Sequence, residues 1–290
     1  MRMTTSVEIA AAGLFNAAVL FLAAAGLQLI FGVQRVVNLA CGAIYALGAY
    51  VAASAANRWG AGAGFLLLPL LIGPAIAVGA VGLILERAIR LVRARDEAFQ
   101  LLLTFAFVLM FQDVLRFGWG AQPLLLAHPP AYGRVTILGA DIPVYNILIM
   151  LISITVAIGL AFIIERTRIG HVLRATSENR DMAEGLGVDS RRVDALTFML
   201  GSMLGAVGGA LVVPTSAASL EAPIDLIVEA FAIVAIGGLG SIAGAFVGSL
   251  IVGLVSALAI YFYAESEIIA IYMVVLAVLV IRPRGLFGKA

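Results

Sequence analysis

The residues able to do chemistry are few and scattered. Four carboxylates, Asp113, Glu229, Glu265 and Glu267, lie in or beside apolar stretches. The two histidines, His128 and His171, are far apart, and Cys41 stands alone. A proton-coupled carrier places carboxylates or histidines deep in several spans. These four positions are a thin basis for one. Asp113 and Arg116 are three apart on one helical face and are expected to pair near the outer end of their helix. His128 reads as a surface residue, because no second ligand stands at metal spacing. Cys41 reads as a small packing residue without a disulfide partner. GxSxG, HExxH and GxxxxGK[ST] are all missing, so nucleophilic, zinc-peptidase and phosphate-loop chemistry have no footing in this chain.

The elements that must position these residues are membrane helices. Of 290 residues, 63% are hydrophobic and 12% charged, and mean hydropathy is +1.11. Soluble domains carry about twice that share of charge. A net charge of +1 leaves no field to attract nucleic acid. The apolar runs are continuous rather than alternating, which favours helices over a barrel. The fold class is therefore an all-α integral membrane protein of one transmembrane domain over residues 1–290. Ile9–Phe31, Val36–Ala56, Gly64–Leu85, Ala98–Gly118, Val144–Ile164, Val193–Val213, Leu226–Gly238, Ala243–Tyr263 and Glu267–Ile281 give a bundle of about 8–10 membrane segments. Ile9–Phe31 reads as a retained span, since no signal-type cleavage site follows it.

Arginine placement sets the sides. Most basic residues fall in three places: Arg87–Arg95, Arg166–Arg192 and the tail Arg282–Lys289. All three can be cytoplasmic. Gly120–Pro143, with four prolines and an alternating stretch Arg134–Ile142, is then external, as is Pro214–Asp225. The N-terminus is outside if every candidate crosses.

Two segments carry breaking residues. Asn38, Gly42 and Gly48 interrupt one span, and Gly237-Gly238-Leu239-Gly240 ends another. Broken or re-entrant segments are expected near Asn38–Gly48 and Gly237–Gly248. Such pairs often mark a transport path. The candidate path residues are Asn38, Cys41, Tyr45, Tyr50, Gly237, Gly238 and Gly240. Gly201, Gly205 and Gly209 recur every four residues, as do Gly240, Gly244 and Gly248, and each set suits close helix packing. Gating is the alternative for the second set. For the tyrosines the alternative is an interfacial belt. Glu221 and Asp225 suit a helix N-terminus by its dipole, with contact to an external binding protein as the functional alternative.

The longest cytoplasmic loop is Glu165–Arg192. Within it Leu173–Leu186 reads as one short helix stopped by Gly185 and Gly187. Ala175, Met182, Ala183 and Leu186 are expected on one side, with Arg174, Glu178, Arg180, Asp181 and Glu184 on the other. Such a helix suits docking on a soluble partner; a solvated loop helix is the other reading.

Several stretches carry a resemblance. RIGHVLRATSENRDMAEGLG (Arg168–Gly187), VDSRRVDALTFMLGSMLGAVGG (Val188–Gly209), AIGGLGSIAGAFVGSLIVG (Ala235–Gly253) and LQLIFGVQRVVNLACGAIYALGAYVA (Leu27–Ala52) resemble permeases of the branched-chain amino acid ABC importer family of LivH type. The resemblance implies a bacterial inner-membrane, multi-pass permease with no ATPase of its own. ATP and Mg would be bound and used by two cytoplasmic ATPase subunits. A second permease, commonly a different chain, and a periplasmic solute-binding protein complete the set. The coupling residues implied are Arg174, Glu178, Arg180, Met182, Ala183, Glu184 and Gly187, with Ala183 and Gly187 at the small positions of the coupling signature. Asn38-Leu39-Ala40-Cys41-Gly42-Ala43 stands where many members carry Asn-Phe-Ala-His-Gly-Glu. That makes any path there less polar. It leaves the solute open between hydrophobic amino acids and urea, amides or other carboxylates. A stand-alone secondary transporter or channel is the competing class.

Overall fold

The computed structural model describes residues 2–59, 67–92, 95–127, 133–137 and 139–288. His128 and Gly64–Leu66 lie outside the described residues. Twelve α-helices carry the described chain, with one small hairpin. They are α1 (Arg2–Gln34), α2 (Ala40–Trp59), α3 (Leu67–Gly79), α4 (Val81–Val92), α5 (Glu97–Trp119), α6 (Val144–Arg166), α7 (Arg168–Glu178), α8 (Arg180–Gly185), α9 (Ser190–Val212), α10 (Ala222–Gly237), α11 (Ile242–Phe262) and α12 (Glu267–Ile281). Strands β1 (Arg134–Ile137) and β2 (Ala140–Pro143) pair antiparallel, Val135 opposite Ile142. This hairpin falls on the alternating stretch Arg134–Ile142 of the Gly120–Pro143 loop.

The chain is an all-α multi-pass membrane protein. Among the described residues, six helices are long and apolar enough to cross: α1, α2, α5, α6, α9 and α11. The shorter α3, α10 and α12 account for the remaining expected segments. The stretch expected as one span over Gly64–Leu85 is divided at Ala80 into α3 and α4. The reason lies in α4. Its Gly82, Leu85, Glu86 and Ile89 share one buried face, while Ile84 and Leu91 are exposed. A one-sided stripe of this kind belongs to a helix laid against a neighbour, here α9.

Contacts between loops sort them onto two opposite faces. Arg90 of α4 donates to the Arg191 carbonyl at 3.4 Å, joining the first two basic clusters on one face. On the opposite face Asn57 at the end of α2 donates to the Leu125 carbonyl (2.9 Å) and accepts from the Ala127 amide (2.7 Å). A bridge between Leu124 and Ala218 joins the two expected external loops there.

α1 and α9 are central, and most other helices pack on one or both. Their approach is set by glycine. A Cβ on Gly201 would lie 2.6 Å from the Gly26 carbonyl oxygen, so no side chain fits where the two backbones touch. The packing reading of the Gly201–Gly209 stripe is the one observed, with Gly209 against the Tyr45 backbone. α5 and α6, by contrast, expose Phe105, Leu109, Phe117, Leu151, Ile158 and Phe162. Asp113 and Arg116 on α5 are both exposed, and no ion pair joins them. That expectation is corrected: three residues apart places both on one face, but the two side chains do not come within ion-pair distance.

Candidate functional site

Both expected breaks occur, the first at the leading edge of its predicted range and largely before it, the second inside its range. α1 ends at Gln34, and Arg35 sits at φ 53°, a left-handed conformation unusual outside glycine. Arg35–Leu39 is non-helical, and Val36 and Asn38 are buried. The Asn38 side chain then accepts from the Ala40 amide at 3.0 Å and opens α2, while its buried Nδ2 has no partner. Gly42 and Gly48 are not breaks. They lie inside continuous α2, where Gly42 meets the Pro223 carbonyl and Gly48 the Ala206 backbone. The first expected break is thus a feature of Arg35–Leu39, and the glycines serve packing.

The second break is confined to Gly238–Ser241. Gly238 (φ 93°) and Gly240 (φ 79°) both occupy backbone conformations closed to ordinary side chains. Ser241 caps α11 by accepting from the Gly244 amide at 3.0 Å. Gly237 and Gly244 touch backbone to backbone, so α10 and α11 form a tight helical hairpin. From below, the Leu286 amide donates to the Ile236 carbonyl (2.8 Å) and the Phe287 amide to the Gly237 carbonyl (3.0 Å).

Of the expected path residues, Gly240 borders a cavity at the cytoplasmic end and the others do not. Asn38, Cys41, Tyr45, Tyr50, Gly237 and Gly238 are buried inside the chain. Cys41 packs with Leu27, Ala230 and Val234, and Tyr50 leans on Trp119 at 5.7 Å between ring centroids. Gly240 is exposed and borders a cavity of about 760 Å³ at the cytoplasmic end, between α1, α6, α7 and the start of α11. Gln28, Arg35, Arg174 and Glu178 border the same cavity. Gln28 is invisible to motif reading. A lone glutamine in a long apolar run is its only trace. Glu221 and Asp225 are exposed on the external side, where α10 begins. Among the described residues, no cluster of His, Cys, Asp and Glu is placed to hold a metal ion.

The cytoplasmic loop is two helices, not one. Asn179 ends α7, and its side chain accepts from the Met182 amide at 3.0 Å to cap α8. An Asx cap in mid-sequence resets the helix axis. The expected apolar side is therefore redistributed. Met182 (66% exposed) and Leu186 (82% exposed) project outward, whereas Ala183 is 3% exposed and turned into the chain. Gly187, at φ 89°, ends the element with open space around its Cα. Arg174 lies by His171, 2.9 Å from its Nδ1.

Polar contacts tie this element to the bundle. Arg180 donates to both carboxylate oxygens of Asp194, at 2.7 and 3.4 Å, and Asp194 is fully buried near the start of α9. Burial opposes the guanidinium charge, but Asp194 and Glu184 outweigh it and hold the Arg180 pKa above its ordinary value. Glu184 accepts a hydrogen bond from the Ser190 hydroxyl and pairs with Arg180 at 3.3 Å. Ser190 first, then Arg180, holds the Glu184 carboxyl below the usual range.

Comparison with known proteins agrees with this architecture. Residues 9–282 match the family model described as branched-chain amino acid transport system, permease component. The chain belongs to that family. It is 29% identical over 282 residues to BraD of Pseudomonas aeruginosa, a high-affinity branched-chain amino acid transport system permease protein, covering 92% of this chain and 91% of the relative. LivH of Escherichia coli K12 is 28% identical over the same length. The probable LivH of Methanocaldococcus jannaschii is 29% identical over 289 residues, covering 93% and 88%. Among solved structures, PsaBC of Streptococcus pneumoniae in complex with Fab shares the fold at a TM-score of 0.52 and 14% identity, covering 95% of this chain and 92% of that one.

Proposed function

We propose that this permease is the membrane subunit of an ATP-driven importer in a bacterial inner membrane. Its solute is a branched-chain or other hydrophobic amino acid, as the names of its relatives indicate. A periplasmic binding protein delivers the solute at the outer face, near Glu221 and Asp225. Two cytoplasmic ATPases, carrying ATP and Mg, dock on α7–α8, and a second permease completes the path. The observation that carries this reading is the build of α8. Its tip presents Met182 and Leu186 to solvent, while Arg180 fixes its base to buried Asp194. An exposed apolar tip invites a partner, and a rigid base passes that partner's motion to α9. With membrane carboxylates few, energy supplied by a partner suits this chain better than ion coupling.

The test is a mild-detergent pull-down of the tagged chain expressed with its neighbouring genes, followed by reconstitution. Recovery of two ATPases and a second permease, with hydrolysis stimulated by leucine-loaded binding protein, supports the reading. Stimulation by urea-, amide- or aromatic carboxylate-loaded protein instead would keep the class and change the solute. Solute movement by the chain alone, without ATP, would replace the importer with a channel or secondary transporter.

A further inference from the structure

Gln28 sits on α1, at the level of the break between α10 and α11, and is 1% exposed. Its Nε2 donates to the Gly238 carbonyl at 2.9 Å, and its Oε1 accepts from the Gly240 amide at 2.6 Å. One primary amide thus bonds a carbonyl and an amide of the break, the Gly238 carbonyl also accepting from the Ser241 amide at 3.4 Å. Glutamine suits this task. Glutamate would bring a carboxylate against the Gly238 carbonyl, and leucine would supply neither bond. Four residues on, Gly32 packs on the Gly240 Cα. The fit of α1 to the break is therefore both polar and steric.

The same helix is gripped at its cytoplasmic end by α9 and by the coupling element. Gln34 donates to the Asp194 carbonyl at 2.9 Å, and Asp194 is the residue that Arg180 of α8 engages through its side chain. Arg35 donates to the Ser177 carbonyl of α7 at 3.0 Å. Gln28 and Gln34 are six residues apart on one unbroken helix, roughly 9 Å along its axis. A displacement of α7–α8 must move α1, and with it the amide that closes the break.

We infer that Gln28 is the gate-positioning residue of this permease, and that α1 is the rod connecting it to the coupling helices through Gln34 and Arg35. The inference rests on the importer reading above, and it names the part that converts partner motion into gate motion. When the coupling helices shift, Gln28 leaves Gly238 and Gly240. The left-handed pair is then released from α1 beside the cytoplasmic cavity that Gln28 and Gly240 border. Two arrangements of one element, biased from a distant site, are what transmission requires.

The test uses the assembled complex in proteoliposomes, with a reporter cysteine at Leu239, 57% exposed within the break. The native Cys41, 7% exposed, gives the slow background. Maleimide labelling is followed with and without a non-hydrolysable ATP analogue and Mg. With Gln28 present, the rate should change at least about threefold on nucleotide binding, which reports the switch between two states. In Gln28→Leu and Gln28→Glu, labelling should be fast in both states, and solute moved per ATP should fall about tenfold while hydrolysis persists. Gln34→Leu should also make labelling insensitive to nucleotide. Should Gln28→Leu fail to assemble, Gln28→Glu and Gln34→Leu decide the matter. A full nucleotide response with unchanged stoichiometry in these variants overturns the gate role. A reporter chain that neither recruits an ATPase nor imports solute overturns the importer reading instead.

Discussion

The Arg180 guanidinium meets the Asp194 carboxylate at 2.7 Å, and of the two only Asp194 is fully buried, Arg180 keeping 33% of its side chain exposed. The pair fastens a cytoplasmic helix to a membrane helix. Removing one partner strands a charge in the interior. Arg180→Ala should therefore cost about 3 kcal/mol, the low end for a buried pair because the arginine is partly solvated. Arg180→Met with Asp194→Leu should recover most of that stability, since neither charge then remains. Thermal unfolding of the purified complex reads both, and a double variant as unstable as the single one would sink the argument.

Within one glycine stripe the structure separates two positions that look alike in sequence. A Cβ at Gly201 meets the Gly26 carbonyl oxygen at 2.6 Å, while one at Gly205 meets only the Cys41 carbonyl oxygen at 4.0 Å. Gly201→Ala should lose about 1–3 kcal/mol by overpacking the α1–α9 contact. Gly205→Ala should be tolerated, and is expected to be neutral or slightly stabilising because alanine suits a helix interior. Fluorescence-detected size exclusion after heating distinguishes the two; equal losses would count against the close approach of α1 and α9 at Gly201.

That contrast also marks what a sequence can reveal here. The order of the apolar segments is legible, because bilayer thickness imposes a length that composition alone satisfies. Both breaks are legible to within a few residues, since Asn38 and the Gly237–Gly240 cluster oppose a continuous helix. Their limits are not. Gly42 and Gly48 are packing surfaces inside α2, as glycine serves a close contact and a break equally well. The division of the Glu165–Arg192 loop at Asn179 escapes the sequence pattern because capping competes with helix continuation only by a small local margin. Gln28 and Gln34 escape it too, because their partners lie 160 or more residues away in the chain, and no local spacing encodes such contacts.

Acid should loosen the coupling element only late. The Glu184 carboxyl titrates below its unfolded value, with Ser190 and then Arg180 holding it charged. A depressed carboxylate pKa contributes stability that is complete above the unfolded value and disappears as pH falls through the folded one. Hydrogen exchange across Arg180–Ser190, corrected for intrinsic rates, should stay protected through mildly acidic pH and rise only below the ordinary carboxylate range. Ser190→Ala removes the leading cause and moves the folded value back toward the unfolded one, so the acid-dependent loss should be smaller and complete at a higher pH. An unshifted profile in that variant would show that the Ser190 hydroxyl does not hold Glu184.

Docking and gating are separable on α8. Leu186 is 82% exposed and Met182 66%, so neither holds the permease together. Leu186→Asp replaces an apolar contact with a charge that must be desolvated on docking. ATPase recruitment in pull-downs should weaken about tenfold or more, the scale of a central apolar contact in an interface, with the thermal stability of the isolated permease unchanged. Gly187→Trp is the less clean probe, because φ 89° strains any side chain there irrespective of the partner. Gly187→Asn tolerates that backbone better and separates strain from bulk. Recruitment lost in Gly187→Trp but kept in Gly187→Asn would assign the effect to size at the docking surface. Recruitment unchanged in Leu186→Asp would move the docking surface away from α8.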